Sequence, residues 1–191
     1  MKFVKPFYLF VFFSGIFIQS CQVETSELSK SFSCTNINKL SNFESITDFN
    51  KNFSIQVPKH WNTKLYYDSV QSEIFTADTI KSLTETYIMD FSVITNDLKI
   101  NEDFKTKVRE KIEVSGMKVI DEKFYTFKNN KAFYNLSFGN SKGKDLHIFQ
   151  TYIKINEYKY MLIKTEFYGK EGFDSRLCES ISIINKVNIN K

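Results

Sequence analysis

Hydrophobic and polar positions alternate regularly through the middle of this chain. A period of two is typical of half-buried strands, and it runs through Phe53, Ile55 and Val57 and again through residues 86–95. Pro58 ends the first of these segments, because proline has no backbone N–H to donate to a neighbouring strand. The alternation therefore predicts two well-defined strands in the first half of the chain.

Shorter patterns predict two further strands, around Leu65–Tyr67 and Ile74–Phe75. A helix is then expected over residues 102–115, where apolar side chains recur at every fourth position. Asn101 is a suitable N-cap for this helix, and Gly116 stands where its C-terminal end is expected.

Four consecutive strands separated by short polar turns follow this helix. Their expected bounds are 117–127, 131–139, 145–155 and 158–168. Connections this short join antiparallel neighbours, so the four strands form a meander. In the third strand Leu146 and Ile148 are out of phase with Phe149 and Ile153, which indicates either a bulge or burial on both faces.

A second helix is predicted after the meander from one apolar stripe, formed by Phe173, Leu177, Ile181 and Ile184. The order of elements is strands, helix, meander and helix. It predicts an α+β fold in which helices pack on an antiparallel β-sheet as a sandwich.

The first twenty residues have the features of an export signal. Lys2 and Lys5 precede the apolar run from Phe7 to Ile18, which is shorter than the about 20 apolar residues that a membrane-spanning helix needs. The run ends in Ile18-Gln19-Ser20-Cys21, which resembles the lipobox of bacterial lipoproteins. This resemblance implies that residues 1–20 are removed and that Cys21 carries lipid, palmitate included. An ordinary signal peptide followed by a coincidental cysteine is the alternative.

The resemblance also implies a location in the cell envelope. Gln22 stands where an aspartate would retain a lipoprotein at the inner membrane, which favours the outer membrane, on either its periplasmic or its surface side. We expect residues 21–50, rich in Ser, Thr and Asn, to form a polar tether and a lead-in, and residues 51–191 to form the folded domain.

Two cysteines, Cys34 and Cys178, remain after Cys21 is assigned to lipid. Exported compartments are oxidising, so we expect a structural disulfide between them, with two unpaired thiols as the alternative.

The segment Phe53-Ser-Ile-Gln-Val-Pro-Lys-His-Trp61, with the helix, meander and closing helix behind it, resembles the PsbP-like family over about residues 50–187. This fold is shared by the PsbP protein of photosystem II and the bacterial lipoprotein DcrB. The resemblance implies a non-enzymatic role in docking or assembly, with no catalytic residues to carry over. The sequence departs from the family's turn in having Lys59-His60 where a glycine is usual.

The net charge and the few candidate ligand side chains bear on which kinds of partner the protein binds. The formal net charge of +4 falls to +2 once Lys2 and Lys5 are removed, which argues against a nucleic-acid partner. Asp145 and His147 share a strand face, but no third ligand is evident for a metal, so an exposed polar pair is the simpler interpretation. No cofactor is indicated.

Aromatic residues make up 16% of the chain, an unusually high share. Four of them do not follow the main core phase and form a candidate contact surface: Tyr66, Phe133, Tyr158 and Tyr160. Burial under helices is the alternative. The sequence thus predicts a membrane-anchored docking module with an envelope protein as partner. The competing hypothesis is an exported small-ligand binder or weak hydrolase that uses a cleft between sheet and helix.

Overall fold

The computed structural model describes residues 26–35 and 40–190. Within them the helices are α1 (Glu27–Ser31), α2 (Glu102–Val114) and α3 (Phe173–Ile184). The strands of the described residues are β1 (Phe43–Thr47), β2 (Phe53–Pro58), β3 (Asn62–Tyr67), β4 (Gln71–Ala77), β5 (Ile88–Thr95), β6 (Lys118–Phe127), β7 (Asn130–Ser141), β8 (Lys144–Lys154), β9 (Lys159–Tyr168) and β10 (Asn188–Ile189).

The main sheet has seven strands in the order β3-β4-β5-β9-β8-β7-β6, and every neighbouring pair is antiparallel. The predicted meander is confirmed as β6 to β9. The predicted opening strand is also present as β2, but it lies in a separate small sheet of order β1-β2-β10. The fold is α+β, as expected.

Alternate residues of the main sheet point to two faces, and both faces have an apolar cluster. The core face is covered by the small sheet, α1 and α3, and its centre includes Phe91, Phe149 and Ile163, all fully buried. The back face is covered by α2 only in part, through a smaller cluster around Val108 and Phe133. The rest of the back face, on β3, β4, β5 and β9, has no helix of the described residues over it.

This two-sided burial explains the phase break in β8. Phe149, Thr151 and Ile153 point to the core face, while Tyr152 points to the back face and packs with the α2 cluster. The pairing of β7 with β8 keeps one register throughout, so the third meander strand has no bulge there. The register shift lies instead in β6, between Val119 and Asp121.

The fold includes residues that the sequence assigns to the tether and lead-in. Leu28 of α1 is only 1% exposed, and the Asn185 amide donates to the Ser29 hydroxyl at 3.1 Å. Strand β1 pairs along β2. Residues 26–35 and 40–50, which the sequence analysis places in the tether and lead-in, thus pack with the fold. The composition of this segment gives little sign of its packing, because Leu28 is the one apolar residue within α1.

The predicted caps of α2 are present. The Asn101 side chain accepts a hydrogen bond from the Phe104 amide at 3.0 Å, and Gly116 follows the helix with a φ of +79°. Glycine adopts this left-handed conformation without the steric cost that a side chain would add. None of the helices in the described ranges is long and apolar enough to cross a bilayer.

Candidate functional site

A disulfide bond joins Cys34 to Cys178, with 5.4 Å between the two Cα atoms. The predicted pairing is therefore present. It fixes the chain after α1 to the middle of α3, and Phe32 beside it packs its ring against Tyr134 and Phe149. Cys21, the expected lipid attachment site, lies outside the described residues.

An open recess of about 520 Å³ lies where the ends of β6, β7 and β8 meet the beginning of α3. Its walls come from elements far apart in the sequence. Three apolar side chains, four charged or polar side chains and one glycine at the α3 N-terminus line the recess: Ile120, Phe138, His147, Lys170, Gly172, Phe173, Asp174 and Ser175.

His147 forms part of the recess wall and is only 9% exposed. Its ring stacks on Phe173 at 4.0 Å between centroids and lies 4.8 Å from the ring of Phe138. Burial lowers the pKa of His147, and the nearby Asp145 carboxylate opposes this effect. The interpretation of Asp145 and His147 as an exposed pair is therefore wrong for the histidine, because α3 covers its ring with Phe173.

The Nδ1 atom of His147 is buried and has no hydrogen-bond partner. Asp145 instead pairs with Lys170, at 3.4 Å between Oδ2 and Nζ. Ser175 also lines the recess, and within the described part of the chain it makes no hydrogen bond to His147. A nucleophile needs a base that a third group orients, and the recess has neither contact.

Arg176 holds the N-terminus of α3 in place. Its guanidinium is buried and donates to four backbone carbonyls at 2.9–3.0 Å, those of Thr86, Tyr168, Gly169 and Glu171. Gly172 precedes the helix in a left-handed conformation and offers no side-chain cap. The first amides of a helix need an acceptor, so this end of α3 suits a ligand with a hydrogen-bond acceptor.

The four predicted contact residues do not form one surface. Phe133 is fully buried under α2, so its assignment to a contact surface is wrong. The reason is that the α2 stripe packs on the back face of β7, where the sequence pattern indicated an outward position. Tyr66 is 50% exposed on β3 and Tyr158 is 71% exposed in the β8–β9 turn, while Tyr160 is half-buried.

Tyr66 and Tyr160 both point to the back face but are separated by β4 and β5, a distance of roughly 15 Å at ordinary strand spacing. The face between them is polar. Glu73 and Asp90 lie close together there, and burial together with the neighbouring Asp90 carboxylate raises the pKa of Glu73. Lys164 pairs with Glu166 at 3.0 Å on the same face.

Exposed apolar side chains lie instead around the β3 edge of the main sheet, with Tyr66 on the back face and Tyr67 on the opposite face beside Phe49. We define the β3-edge patch as Phe49, Tyr66, Tyr67 and Val70, each at least half exposed. The rings of Phe49 and Tyr67 are 4.7 Å apart, which joins the β1–β2 turn to the end of β3. Two adjacent tyrosines at a strand end were the only local signal for this patch, because Phe49 reaches it through tertiary structure.

A small polar pocket of about 170 Å³ separates the β3-edge patch from the β8–β9 turn, which carries Tyr158. Its lining includes Asn52, Asp68 and Lys159, and Lys159 donates to the Asn52 side chain at 2.9 Å. The exposed predicted residues Tyr66 and Tyr158 thus lie at the same end of the sheet. Among the described residues, no group of three acidic, histidine or cysteine side chains is placed to hold a metal ion.

Comparisons with known proteins identify the fold. No protein-family model matches the chain, and no curated protein shows a significant sequence match. Among solved structures, the cyanobacterial PsbP protein of Synechocystis, CyanoP, matches with a TM-score of 0.54 and 9% identity over 80% of this chain and 95% of its own. The yeast Ran-binding protein Mog1p matches with a TM-score of 0.51 and 10% identity, over 78% of this chain and 95% of its own.

A Bacteroides thetaiotaomicron protein matches with a TM-score of 0.53 and 8% identity, over 79% of this chain and half of that chain. Identities this low establish a shared fold and nothing further. The chain has a PsbP-like α+β fold, as the resemblance implied.

Proposed function

We propose that this protein is a membrane-anchored, non-enzymatic lipoprotein of the cell envelope that docks on a protein partner. The β3-edge patch is the observation that carries the proposal. Strand β3 ends the main sheet, so its outer backbone groups are unpaired within the described fold. Exposed aromatic side chains around an unpaired strand edge provide both main-chain hydrogen bonds and apolar contact area to a partner.

The anchoring part of the proposal rests on the sequence. Ile18-Gln19-Ser20-Cys21 ends an export signal, and acyl chains on Cys21 would give stable membrane binding. The disulfide supports an oxidising compartment, because cytosolic proteins rarely keep such a bond. The outer membrane is the proposed location.

The proposed docking role is supported by a protein of similar fold, and the proposed lack of catalysis by the recess beside His147. The similar fold of Mog1p belongs to a Ran-binding protein, so this architecture is compatible with binding another protein. The recess beside His147 lacks the oriented nucleophile and base that a hydrolase needs.

Photo-crosslinking in intact cells tests the docking surface. A photoreactive amino acid at position 67 should capture a defined protein, since Tyr67 is 63% exposed in the patch. The same residue at position 114 is the matched control, because Val114 is 90% exposed at the end of α2, away from the β3 edge. Capture at 114 and not at 67 would contradict the proposed surface.

A second candidate function, small-ligand binding in the recess, is favoured by one specific observation. The buried Nδ1 of His147 has no partner, and the uncapped N-terminus of α3 lies at the same recess. These groups fit a planar apolar molecule with a hydrogen-bond acceptor. Benzoate titration followed by NMR should shift the Ser175 amide and the His147 ring. Ile120→Trp, which fills the recess from an exposed position, should abolish the shifts.

A further inference from the structure

The way α1 is fixed to the domain restricts how an anchored molecule can sit on a membrane. Leu28 is buried, Ser29 accepts from Asn185, and the disulfide of Cys34 closes the segment onto α3. The Glu27 carboxylate accepts from the Thr126 amide at 3.4 Å, which places the beginning of α1 beside the last residues of β6. The chain therefore leaves the fold at the β6 edge of the main sheet.

The segment between the anchor and the fold is short. Five peptide steps join Cys21 to Ser26, and a fully extended chain covers at most about 3.6 Å for each step, or about 18 Å in all. The main sheet is wider than this reach. Six strand spacings separate β3 from β6, roughly 29 Å at the usual interstrand distance. A molecule lipidated at Cys21 cannot stand on its β3 edge with the β6 edge farthest from the bilayer.

The β6 edge also has the charge that suits a bilayer with anionic lipids. Lys30 on α1, Lys123 on β6 and Lys131 on β7 are exposed, and Lys131 lies directly opposite Thr126 in the β6–β7 pairing. The acids of this region do not cancel the three lysines, because Glu122 is ion-paired with Lys105 and Arg109 of α2 and only Glu27 and Asp121 remain. Glu27 accepts from the Thr126 amide, and Asp121 accepts from the Tyr134 hydroxyl at 2.9 Å. Lysines close to an anionic membrane surface are attracted to it electrostatically.

We infer that the β6 edge, with Lys30, Lys123 and Lys131, lies against anionic lipid headgroups and that the β3-edge patch faces away from the membrane. This inference rests on the proposed lipidation of Cys21 and adds an orientation to it. The orientation leaves the patch free for a partner in the adjoining compartment.

Lysine acetylation by a water-soluble reagent tests the orientation, with rates read for each residue by mass spectrometry. The lipidated mature protein is reconstituted into vesicles of phosphatidylethanolamine and phosphatidylglycerol. Lys30, Lys123 and Lys131 should react several-fold more slowly than in Cys21→Ser protein mixed with the same vesicles. Lys64, exposed on β3, is the internal control and should react at the same rate in both.

Two variants separate the contributions of tether length and charge. A Gly/Ser insertion after Gln22, long enough to exceed the width of the sheet, should reduce the protection. Paired Lys123→Glu and Lys131→Glu changes should remove the protection of Lys30, whereas Lys64→Glu should leave it intact. Equal reaction rates at both edges, or protection of Lys64, would overturn the inferred orientation. Absence of lipid on the Cys21 peptide would instead overturn the proposed anchoring, so the two failures are distinguishable.

Discussion

Cys34 and Cys178 are bonded to each other across a sequence separation of 144 residues. The bond connects the segment behind α1 to the middle of α3, and both elements cover the same face of the main sheet. It therefore helps to hold α1 against the domain, and the contact of Glu27 with the Thr126 amide places the beginning of α1 beside β6.

Replacing both cysteines by serine should lower the free energy of unfolding substantially. The chain-entropy model gives roughly 4–5 kcal/mol for a loop of this length, because the unfolded chain regains freedom when the crosslink is removed. Urea denaturation of the wild type and the double variant measures the difference. Reduced wild-type protein should unfold at the same urea concentration as the variant. A loss below about 1 kcal/mol would show that packing of α1 alone holds the segment.

Phe133→Ala should be one of the most destabilising single changes outside the main core. Phe133 lies on β7 and is fully buried under α2. Removing a buried phenylalanine ring typically costs about 3–5 kcal/mol of stability. Tyr66→Ala is the matched control, since half of Tyr66 is exposed and its loss should change the free energy of unfolding by less than about 0.5 kcal/mol. Urea denaturation of both variants measures the contrast.

The variants Phe133→Ala and Tyr66→Ala also distinguish an effect on folding from an effect on partner binding. Tyr66→Ala should weaken capture of the partner by a crosslinker at position 67 while the protein stays folded. Equal destabilisation by the two changes would contradict the burial that distinguishes them.

His147 should make the folded protein less stable as the pH falls. Burial lowers the pKa of His147 in the folded state below the ordinary value of 6.5, so the unfolded chain binds the proton more readily. Its contribution is fully present above the unfolded pKa and is lost as the pH falls through that value toward the folded one. His147→Phe keeps an aromatic ring against Phe173 and cannot be protonated.

The test compares urea denaturation of wild type and His147→Phe between about pH 7.5 and 5.5, where an unperturbed histidine titrates. As the pH falls, the free energy of unfolding of the wild type should decrease relative to that of His147→Phe. The raised pKa of Glu73 affects both proteins equally and cancels in the comparison. Asp145→Asn should enlarge the acid sensitivity of the wild type, because the Asp145 carboxylate raises the pKa of His147.

Local periodicity was sufficient to predict much of the fold. The meander from β6 to β9 and the helices α2 and α3 are formed by residues close together in the sequence. Their hydrophobic periodicity therefore predicts them directly. The small sheet was not predictable in this way. Its strand β2 pairs with β1 on one side and, through Ser54 and Asn188, with a segment more than a hundred residues away.

The candidate site was harder to predict than the fold for the same reason. The recess brings together Ile120, Phe138, His147 and Phe173 from four separate elements. Phe133 was misassigned because a sheet with clusters on both faces buries residues of both phases. Cys34 and Cys178 could be paired because so few cysteines were present, not because their positions suggested proximity.

Lipid anchoring is tested by fractionating cells that express the wild type or Cys21→Ser and labelling them with radioactive palmitate. Wild-type protein should carry the label and sediment with membranes. Cys21→Ser should be unlabelled and soluble, with an unchanged urea midpoint, because the contacts that hold the described fold are made by residues from 26 onward. Wild-type protein without label, or Cys21→Ser that still sediments with membranes, would contradict lipid anchoring.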